Sequence, residues 1–532
     1  MSSLLEISNL KLDIGAIPIL RDIDLKLEQG KVLGIIGESG SGKSMTALSI
    51  MGLAPRGAHL GGSVAYYGEN LLQKSEAEMC VMRGRDFGMI FQEPMTALDP
   101  LQTIGTQVAG TLLAHGSISR RDASIEADRA LERSGLPAEH FPRDRFPHEL
   151  SGGQRQRVVI AMAIVMRPRL LIADEPTTAL DVTTQATILN LLRRLVDDEG
   201  MGLMFVTHDL ALVAGLASDI AVMRRGEIVE QGPTREIFGR LGHPYTRTLF
   251  AASSHVPVRY PAAAGKPVLE VEGLVRDYRL PPRHLFGRPG SFRAVDQVSF
   301  TIRRGENVGL VGESGSGKST LARAIMALDP PQAGRIAVLG EAHDIEGAST
   351  QTRRKLQIVF QDPYGSFDPR QRVDILVSEP FYLLGKDAPR GKERQERVAR
   401  ALREVGLAPE DARKYIHEFS GGQRQRIAIA RALIIEPALI ILDEAVSALD
   451  VSIRAQILDL LANLSSRLGI SFLFISHDLS VVRAITDRVL VMKAGKIVEQ
   501  GRTEDVFRNP QQVYTRELIA ATPNLERALA GG

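Results

Sequence analysis

Short apolar runs recur along the chain, and a polar residue follows each of them directly. Residues 170–173 and 203–206 form two such runs, and residues 439–442 and 472–475 repeat them later in the sequence. Runs of this length without polar alternation are typical of strands buried on both faces of a parallel sheet. We therefore predict an α/β fold in which polar residues lie at the carboxyl ends of parallel strands.

Two further apolar runs lead into glycine-rich turns. Residues 31–37 and 307–312 each end in a glycine, and an apolar helical segment follows each turn. A strand, a glycine-rich loop and a helix in this order form the setting in which backbone N–H groups bind phosphate. The pattern therefore predicts one phosphate-binding loop in each half of the chain.

The two halves repeat the same ordered set of motifs, which indicates a duplicated domain. Residues 37–44 recur as residues 312–319, 275 positions later, and residues 151–157 recur as residues 420–426, 269 positions later. A repeat of this length is a duplicated domain rather than a solenoid. The predicted organisation is a first domain over residues 1–253, a Pro- and Ala-rich linker over residues 254–266 and a second domain over residues 267–532.

Composition and charge narrow the class of protein. The chain has 532 residues, of which 65 are basic and 63 acidic, so its formal net charge is +2. This balance provides no overall attraction to nucleic acid or to an anionic membrane. The single cysteine, Cys80, excludes an intrachain disulfide and a metal cluster held by four cysteines of this chain. It also favours a reducing compartment.

We expect neither a signal peptide nor a membrane-spanning segment. The N-terminus lacks a basic region followed by an apolar core. The two most apolar stretches, residues 201–217 and 427–451, are interrupted by charged residues. Any role at a membrane is therefore expected to depend on partner proteins.

Both glycine-rich loops match the pattern G-x-x-x-x-G-K-[ST]. The glycines let backbone N–H groups approach phosphates, the lysine binds the outer phosphates, and the serine (Ser44 or Ser319) is a Mg²⁺ ligand. A single match could be a flexible glycine-rich loop without a ligand. Two matches at equivalent positions in the two halves argue strongly against that interpretation. The predicted ATP-binding residues here are Gly37, Glu38, Ser39, Gly40, Ser41, Gly42, Lys43, Ser44 and Met45, and Gly312, Glu313, Ser314, Gly315, Ser316, Gly317, Lys318, Ser319 and Thr320.

Four kinds of polar residue recur after the predicted strands. An aspartate is suited to hold Mg²⁺ opposite the loop, and the glutamate after it is suited to polarise an attacking water. Alone, such a pair is more often a solvated cap, and a lone histidine or glutamine is more often an ordinary polar strand end. Because these residues follow a phosphate loop in both halves, a catalytic or metal-binding role is favoured over an ordinary structural one. The residues are Asp174, Glu175, His208 and Gln92 in the first half, and Asp443, Glu444, His477 and Gln361 in the second.

A Ser-Gly-Gly-Gln motif precedes a long helical segment in each half. Serine is a favoured helix N-cap, and the glycines allow an anion to approach the positive end of the helix. With this motif, the order of all motifs resembles that of the ATPase subunits of ABC transporters, over nearly the whole chain and twice. The motif residues are Ser151, Gly152, Gly153 and Gln154, and Ser420, Gly421, Gly422 and Gln423.

The resemblance narrows to the peptide/nickel importer family. Residues 91–100 together with residues 174–181 resemble one ATPase of this family, and residues 360–369 together with residues 443–450 resemble its partner. Fused double ATPases of oligopeptide, microcin and glutathione importers are similar. Each half also has the C-terminal extension of the family, marked by residues 243–246 and more weakly by residues 510–515; the extensions span about residues 233–253 and 502–525.

The resemblance implies two tandem P-loop ATPase domains, each with a RecA-like parallel-sheet core, an antiparallel β subdomain and a helical subdomain. It implies ATP and Mg²⁺ as cofactors, bound at two head-to-tail sites where the phosphate loop of one half meets the Ser-Gly-Gly-Gln motif of the other. The glutamates and histidines would then be catalytic, and Gln92 and Gln361 would join the serines and aspartates as Mg²⁺ ligands. Asp181 and Asp450 would link the two sites across the interface. Because both sites keep all of these residues, we expect two competent ATPase sites.

The resemblance also implies partners and a location. Two transmembrane permease subunits would bind the chain, and an extracytoplasmic substrate-binding protein would act through them. Membrane contact would occur only through the permeases, at the cytoplasmic face of the bacterial inner membrane, with one chain per transporter and no nucleic acid. Selectivity lies in the permeases and the binding protein, so the sequence leaves peptides, glutathione, a microcin-like peptide and nickel open as cargo.

One departure from the family pattern concerns the adenine ring. Tyr278 matches the aromatic residue on which the family stacks adenine, whereas the equivalent segment of the first half has Ile14 and no aromatic residue. An aliphatic side chain offers no π-face. We therefore predict weaker nucleotide binding at the first site, unless another aromatic residue replaces the missing one.

Two rival classes remain open. Soluble twin-cassette ABC ATPases that act on ribosomes or DNA share the core motifs, but they typically have long charged linkers, metal-binding cysteines or large insertions, which this sequence lacks. Exporter ATPases lack the C-terminal extension. An importer ATPase is the interpretation that accounts for every motif.

Overall fold

The computed structural model describes residues 3–530, apart from residues 93, 117, 179, 260–264, 281–289, 344–348, 363–364 and 448. Part of the predicted linker therefore lies outside the described residues. In the first half, the strands are β1 (Ser3–Ile14), β2 (Ile17–Glu28), β3 (Val32–Ile36), β4 (Ala58–Tyr66), β5 (Glu69–Asn70), β6 (Phe87–Ile90), β7 (Leu170–Asp174), β8 (Gly202–Thr207), β9 (Asp219–Arg224) and β10 (Glu227–Pro233). The helices are α1 (Lys43–Ile50), α2 (Glu76–Met82), α3 (Pro94–Ala97), α4 (Ile104–Ala114), α5 (Arg120–Arg133), α6 (Gly152–Ile164), α7 (Val182–Glu199), α8 (Leu210–Leu216), α9 (Thr234–Arg240) and α10 (Pro244–Ser253).

The second half repeats this order of elements. Its strands are β11 (Pro267–Leu280), β12 (Gly290–Arg303), β13 (Asn307–Val311), β14 (Ala333–Val338), β15 (Glu341–His343), β16 (Leu356–Val359), β17 (Leu439–Asp443), β18 (Ser471–Ile475), β19 (Arg488–Lys493) and β20 (Lys496–Arg502). Its helices are α11 (Lys318–Ile325), α12 (Thr350–Lys355), α13 (Val373–Ser378), α14 (Gly391–Glu404), α15 (Gly421–Leu433), α16 (Val451–Leu468), α17 (Leu479–Ile485), α18 (Thr503–Arg508), α19 (Val513–Ala521) and α20 (Leu525–Ala530).

Each half contains two sheets. In the first half, β2-β1-β4-β5 is antiparallel, whereas β9-β3-β8-β7-β6 is parallel with β10 added antiparallel at one edge. The second half has the same orders, β12-β11-β14-β15 and β16-β17-β18-β13-β19-β20. The predicted α/β class and the predicted pair of homologous folds are confirmed.

The sequence explains why the parallel strands lie at the centre of each domain. Every residue of β3, β8 and β13 is buried, so these mainly apolar strands are covered on both faces. The chemistry-bearing residues follow the carboxyl ends of these strands or of their neighbours. Helices α4 to α6 pack on one another beside the first parallel sheet and form its helical subdomain.

The two halves contact each other through their C-terminal segments. Helix α10 of the first half packs against α16 of the second, and α19 of the second half packs against α7 of the first. The last helix, α20, packs against α8 of the first half. Within the residues that the structure covers, no helix combines the length and apolar character needed to cross a bilayer.

Candidate functional site: two ATP sites between the halves

The phosphate loops have backbones that only glycine fits. A Cβ at Gly37 would lie 2.3 Å from the carbonyl oxygen of Met223, and a Cβ at Gly312 would lie 2.2 Å from that of Met492. Gly42, the N-cap of α1, has a φ of 107°. The loops therefore keep their N–H groups free of side-chain bulk, as a phosphate requires.

The loop lysines are buried and bonded to their own loops. Lys43 Nζ donates to the carbonyl oxygens of Gly37 at 2.8 Å and Glu38 at 3.0 Å. Lys318 makes the same bonds to Gly312 and Glu313, at 2.8 and 2.9 Å. Burial lowers the pKa of both lysines. A phosphate beside the ammonium groups would offset that burial, which suits the predicted role of these side chains.

The serine and the aspartate predicted to hold Mg²⁺ lie together in each half. Asp174 is 5% exposed, its carboxylate accepts a hydrogen bond from Ser44, and its Oδ1 has no hydrogen-bond partner among the described residues. In the second half, Ser319 Oγ donates to Asp443 Oδ1 at 3.3 Å. Burial raises the pKa of both aspartates. A divalent cation prefers such oxygen ligands and would satisfy the unbonded oxygen, so the residues fit Mg²⁺.

Glu175 lies at the centre of a hydrogen-bonded cluster at the first site. Its carboxylate contacts His208 Nδ1 at 3.2 Å, Gln92 Nε2 at 3.0 Å and Thr178 Oγ1 at 2.9 Å. Burial is the largest influence on the pKa of Glu175 and would raise it, but the hydrogen bonds from His208 and Thr178 and the charges of His208 and Lys43 together lower it. Burial lowers the pKa of His208, whereas the hydrogen bond to Glu175 and its charge raise it. The net result is a raised pKa. The glutamate is thus held as a carboxylate, the form that can orient a water.

The second site repeats part of this cluster. His477 Nδ1 lies 3.4 Å from Glu444 Oε1, and the two pKa values shift as at the first site. Ser447 occupies the position of Thr178, but its hydroxyl donates to the backbone carbonyl of Glu444 at 2.8 Å. Gln361 lies with Ser319 and Asp443 along a cleft of about 810 Å³. The two sites therefore share residues but differ in how the glutamate is held.

Both glutamates have left-handed backbones, with φ of 46° at Glu175 and 50° at Glu444. This conformation costs a residue with a side chain about 1–2 kcal/mol. Each glutamate N–H donates across the sheet at 2.9 Å, to the carbonyl of Val206 or Ile475. Strain of this kind at the end of a strand is typical of functional positions.

The predicted helix caps are present in both Ser-Gly-Gly-Gln motifs. Ser151 Oγ accepts from Gln154 N at 3.3 Å, and Gln154 Oε1 accepts from Ser151 N at 2.9 Å. Ser420 and Gln423 form the same reciprocal pair, at 3.4 and 3.0 Å. A Cβ at Gly153 would lie 2.1 Å from a methyl carbon of Thr184, so the start of α6 packs directly on the segment that follows Asp181.

The predicted interface aspartates contact the opposite phosphate loops. Asp450 Oδ1 accepts from the N–H of Ser39 at 2.7 Å, and Asp181 Oδ2 accepts from the N–H of Ser314 at 3.4 Å. Thr183 adds a hydroxyl bond to Glu313 at 2.9 Å. Each phosphate loop is therefore bonded to the half that does not contain it.

Tyr278 has polar and cationic partners in this structure. The guanidinium of Arg276 lies 4.7 Å from the centre of its ring, and its hydroxyl donates to Asp329 at 3.1 Å. Ile14 packs against the apolar cluster beneath the first antiparallel sheet. The adenine-stacking role of Tyr278 stays a prediction, as do the other individual roles assigned from the sequence.

Sequence reasoning missed four side chains at these sites. The sequence patterns assign no role to Thr178 or Thr183, and the structure places both at the sites. The hydroxyls of Tyr245 and Tyr514 accept hydrogen bonds from the phosphate loops, whereas the sequence identifies their segments only as a C-terminal extension. The two tyrosines are 269 positions apart, the same offset as the catalytic motifs, and that equality was a usable signal.

Comparison with known proteins agrees with this geometry. The family model described as "ABC transporter" matches residues 20–178 and 295–447, and the model described as "Oligopeptide/dipeptide transporter, C-terminal region" matches residues 229–266 and 498–531. The chain therefore belongs to the ABC transporter family, as a protein with two fused ATP-binding domains. Its enzymatic activity is ATP hydrolysis coupled to transport. These findings confirm the family and the ATPase activity predicted from the motifs.

Individual relatives cover nearly the whole chain. The glutathione import ATP-binding protein GsiA of Salmonella paratyphi A is 46% identical over 95% of this chain and 87% of the relative. GsiA of Escherichia coli K12 is 46% identical over 96% of this chain and 87% of the relative. Among solved structures, cbiO1 from Clostridium perfringens, part of the ABC transporter complex cbiONQ, is 31% identical over 46% of this chain and 91% of that chain, with a TM-score of 0.39.

Proposed function

We propose that the chain is the energy-coupling ATPase of a bacterial importer for small peptide-like cargo. The observation that carries the proposal is the reciprocal bonding of each phosphate loop to the interface aspartate of the other half. A chain with that arrangement forms two nucleotide sites on its own. The match to the oligopeptide/dipeptide C-terminal region and the 46% identity to glutathione import proteins support peptide-like cargo.

We propose that site one combines the phosphate loop of the first half with the Ser-Gly-Gly-Gln motif of the second. Lys43 and the loop N–H groups bind the phosphates of ATP, and Glu175 orients a water towards the γ-phosphate while His208 holds that carboxylate in place. The N-terminal end of α15, opened by Gly421, adds positive potential when the halves close. Ser44, Gln92 and Asp174 would hold Mg²⁺, which neutralises charge on the phosphates.

Site two has the same composition with the halves exchanged. Lys318 binds phosphates, Glu444 orients water, and His477 holds Glu444. Gly152 opens the helix that faces the nucleotide, and the Mg²⁺ ligands would be Ser319, Gln361 and Asp443. Because phosphoryl transfer asks the protein mainly for positioning and charge stabilisation, closure of the halves completes both sites and hydrolysis releases them.

The partners we propose are two membrane permease subunits and, through them, a substrate-binding protein outside the cytoplasm. The chain would lie at the cytoplasmic face of the inner membrane and supply both ATPase domains, so one chain would serve each transporter. The near-neutral charge of +2 supports a protein partner rather than nucleic acid.

The test is purification of the tagged chain with its partners from solubilised membranes of its host, followed by reconstitution in vesicles. We expect two polytopic proteins to accompany it and ATP hydrolysis to rise when a binding protein loaded with glutathione or a short peptide is added. A chain carrying both Glu175→Gln and Glu444→Gln is the matched control and should assemble without transport. Recovery of ribosomes or DNA in place of membrane proteins would contradict the proposal.

A further inference from the structure

A tyrosine of each C-terminal extension is hydrogen-bonded to the phosphate loop of its own half. The hydroxyl of Tyr245 accepts from the N–H of Glu38 at 3.1 Å, and that of Tyr514 accepts from the N–H of Glu313 at 2.9 Å. The tyrosines are 5% and 6% exposed. The same contact therefore occurs twice, at equivalent positions.

Each tyrosine ring also lies beside a cationic side chain of its own half. The guanidinium of Arg224 lies 4.8 Å from the ring centre of Tyr245, and the ammonium of Lys493 lies 4.4 Å from that of Tyr514. Contacts of this kind stabilise the position of an aromatic ring. The hydroxyl is thus placed by its surroundings and not by the loop alone.

A half-buried glutamate fixes the start of each extension helix. Glu230 accepts hydrogen bonds from the N–H groups of Gly242 at 2.9 Å and His243 at 3.1 Å. In the second half, Glu499 accepts from Gln511 at 2.8 Å and Gln512 at 3.1 Å. The donating residues differ between the halves, but in both halves a glutamate accepts from two consecutive backbone N–H groups. This indicates that both glutamates serve to hold the tyrosine in the same position.

The extension also contacts the opposite half. Tyr514 and Leu518 belong to one apolar cluster with Val182, the first residue of α7 and the neighbour of Asp181. Helix α10, which carries Tyr245, packs on α16, the helix that follows Asp450. Each extension thus contacts the phosphate loop of its own half and the helix behind the interface aspartate of the other.

Two consecutive N–H groups of the first phosphate loop consequently have partners in different halves. Tyr245 holds the N–H of Glu38, and Asp450 holds the N–H of Ser39. In the second loop, Tyr514 holds the N–H of Glu313 while Asp181 accepts from Ser314. The orientation of one peptide unit limits that of the next, because only φ and ψ connect them.

We propose that Tyr245 and Tyr514 are positioning residues for ATP binding. Each tyrosine fixes the N–H of the second residue of its phosphate loop, Glu38 or Glu313. The following N–H then faces the aspartate of the other half, and the later N–H groups face the phosphates. The extension thereby joins nucleotide binding to the contact between the halves. This inference rests on the proposed ATP sites and assigns the extension a task within them.

The test is a pair of variants, Tyr245→Phe and Tyr514→Phe, each made in the full chain assembled with its membrane partners. Phenylalanine keeps the ring, its packing and its cationic neighbour, and removes only the acceptor, which leaves a partly buried N–H unbonded. We expect the KM for ATP to rise about three- to tenfold with less than a twofold change in kcat. Tyr67→Phe is the matched control, because it removes a hydroxyl bonded to Gln29 at 3.1 Å outside the site.

Assigning the effect to one site requires blocking the other. Tyr245→Phe is therefore measured with Glu444→Gln, and Tyr514→Phe with Glu175→Gln. An unchanged KM, or a fall in thermal stability or kcat without a change in KM, would overturn the inference. A chain with both Lys43→Ala and Lys318→Ala distinguishes failure of the proposed ATP sites from failure of the tyrosine role. If this double variant still binds ATP, the proposed ATP sites are refuted. If it loses ATP binding while the tyrosine variants keep a normal KM, only the positioning role is refuted.

Discussion

Asp450 of the second half accepts a hydrogen bond from the backbone N–H of Ser39, in the phosphate loop of the first half, at 2.7 Å. Asp450 precedes α16 but makes no side-chain bond to the N–H groups of that helix. Asp181, its counterpart, reaches the other loop at 3.4 Å and also caps α7 by accepting from Thr184 N at 3.0 Å. The two interface aspartates therefore differ in what they stabilise.

This difference predicts unequal effects on stability. Asp181→Ala removes a helix cap and should lower the free energy of unfolding by about 1 kcal/mol, whereas Asp450→Ala should change it little. Both variants should lower ATP hydrolysis, and Asp450→Asn, which keeps an acceptor oxygen, should retain most of it. Urea unfolding of the full chain and ATPase assays of the assembled complex measure these effects. Equal losses of stability in the two alanine variants would contradict the assignment.

Both ATP sites are expected to hydrolyse ATP. Glu175→Gln and Glu444→Gln keep the size of the side chain and remove its negative charge, so each should stop the chemical step at one site. We expect the two single variants, measured in the assembled complex, to differ in residual hydrolysis by less than tenfold. A larger difference would mean that one site is degenerate, despite its full set of residues.

The histidine and glutamate pairs predict a dependence of stability on pH. The pKa of His208 and of His477 is raised from 6.5, so the stabilisation is present below that pH and is lost as the pH rises through the raised pKa. The pKa of each glutamate is lowered from 4.5, so stabilisation is also lost as the pH falls through the lowered pKa. The contribution of the pairs is therefore greatest between about pH 4.5 and 6.5.

Unfolding of nucleotide-free protein in EDTA tests this window. The free energy of unfolding of the wild type should exceed that of a chain with both His208→Gln and His477→Gln by about 2 kcal/mol near pH 6. The difference should shrink as the pH rises through the raised pKa of the histidines. A difference that stays constant or grows at high pH would show that the pairs do not titrate as the geometry requires.

Adenine contact should distinguish the two sites. If Tyr278 stacks on adenine, Tyr278→Ala should weaken nucleotide binding at site two about tenfold, since an aromatic contact contributes about 1 kcal/mol beyond the burial of the ring. Tyr278→Phe keeps the ring and loses only the bond to Asp329, so it should bind nearly as the wild type does. The affinity of site one is measured in a Lys318→Ala chain, and that of site two in a Lys43→Ala chain. Equal affinities for the nucleotide would contradict the predicted weaker binding at site one.

The fold and the residues of the sites could be read from the sequence because both depend on local patterns. Asp174 and Asp443 end apolar runs, and parallel strands bring the ends of such runs to one edge. The duplication supplied a second, independent copy of each motif. These signals require no knowledge of how the domains pack.

The remaining features depend on tertiary structure. Thr178 and Ser447 occupy equivalent positions, yet one hydroxyl bonds a carboxylate and the other a backbone carbonyl. The contact between Tyr245 and Glu38 joins residues that are 207 positions apart. No local pattern fixes such choices. The contact of Tyr245 follows from the packing of an extension helix against two domains.

The head-to-tail composition of the sites is the central claim, and a count of ATP held per chain tests it most directly. The background is a chain with Glu175→Gln and Glu444→Gln. Adding Lys43→Ala and Gly421→Asp to it changes two residues of site one and leaves site two intact. Adding Lys43→Ala and Gly152→Asp changes one residue of each site. A Cβ at Gly421 meets nothing within 4 Å and one at Gly152 lies 3.7 Å from Leu180, so both positions accommodate the Cβ of a substituted residue. The account predicts one retained ATP per chain for the first combination and none for the second. The reverse result would mean that each site is built within one half and would contradict it.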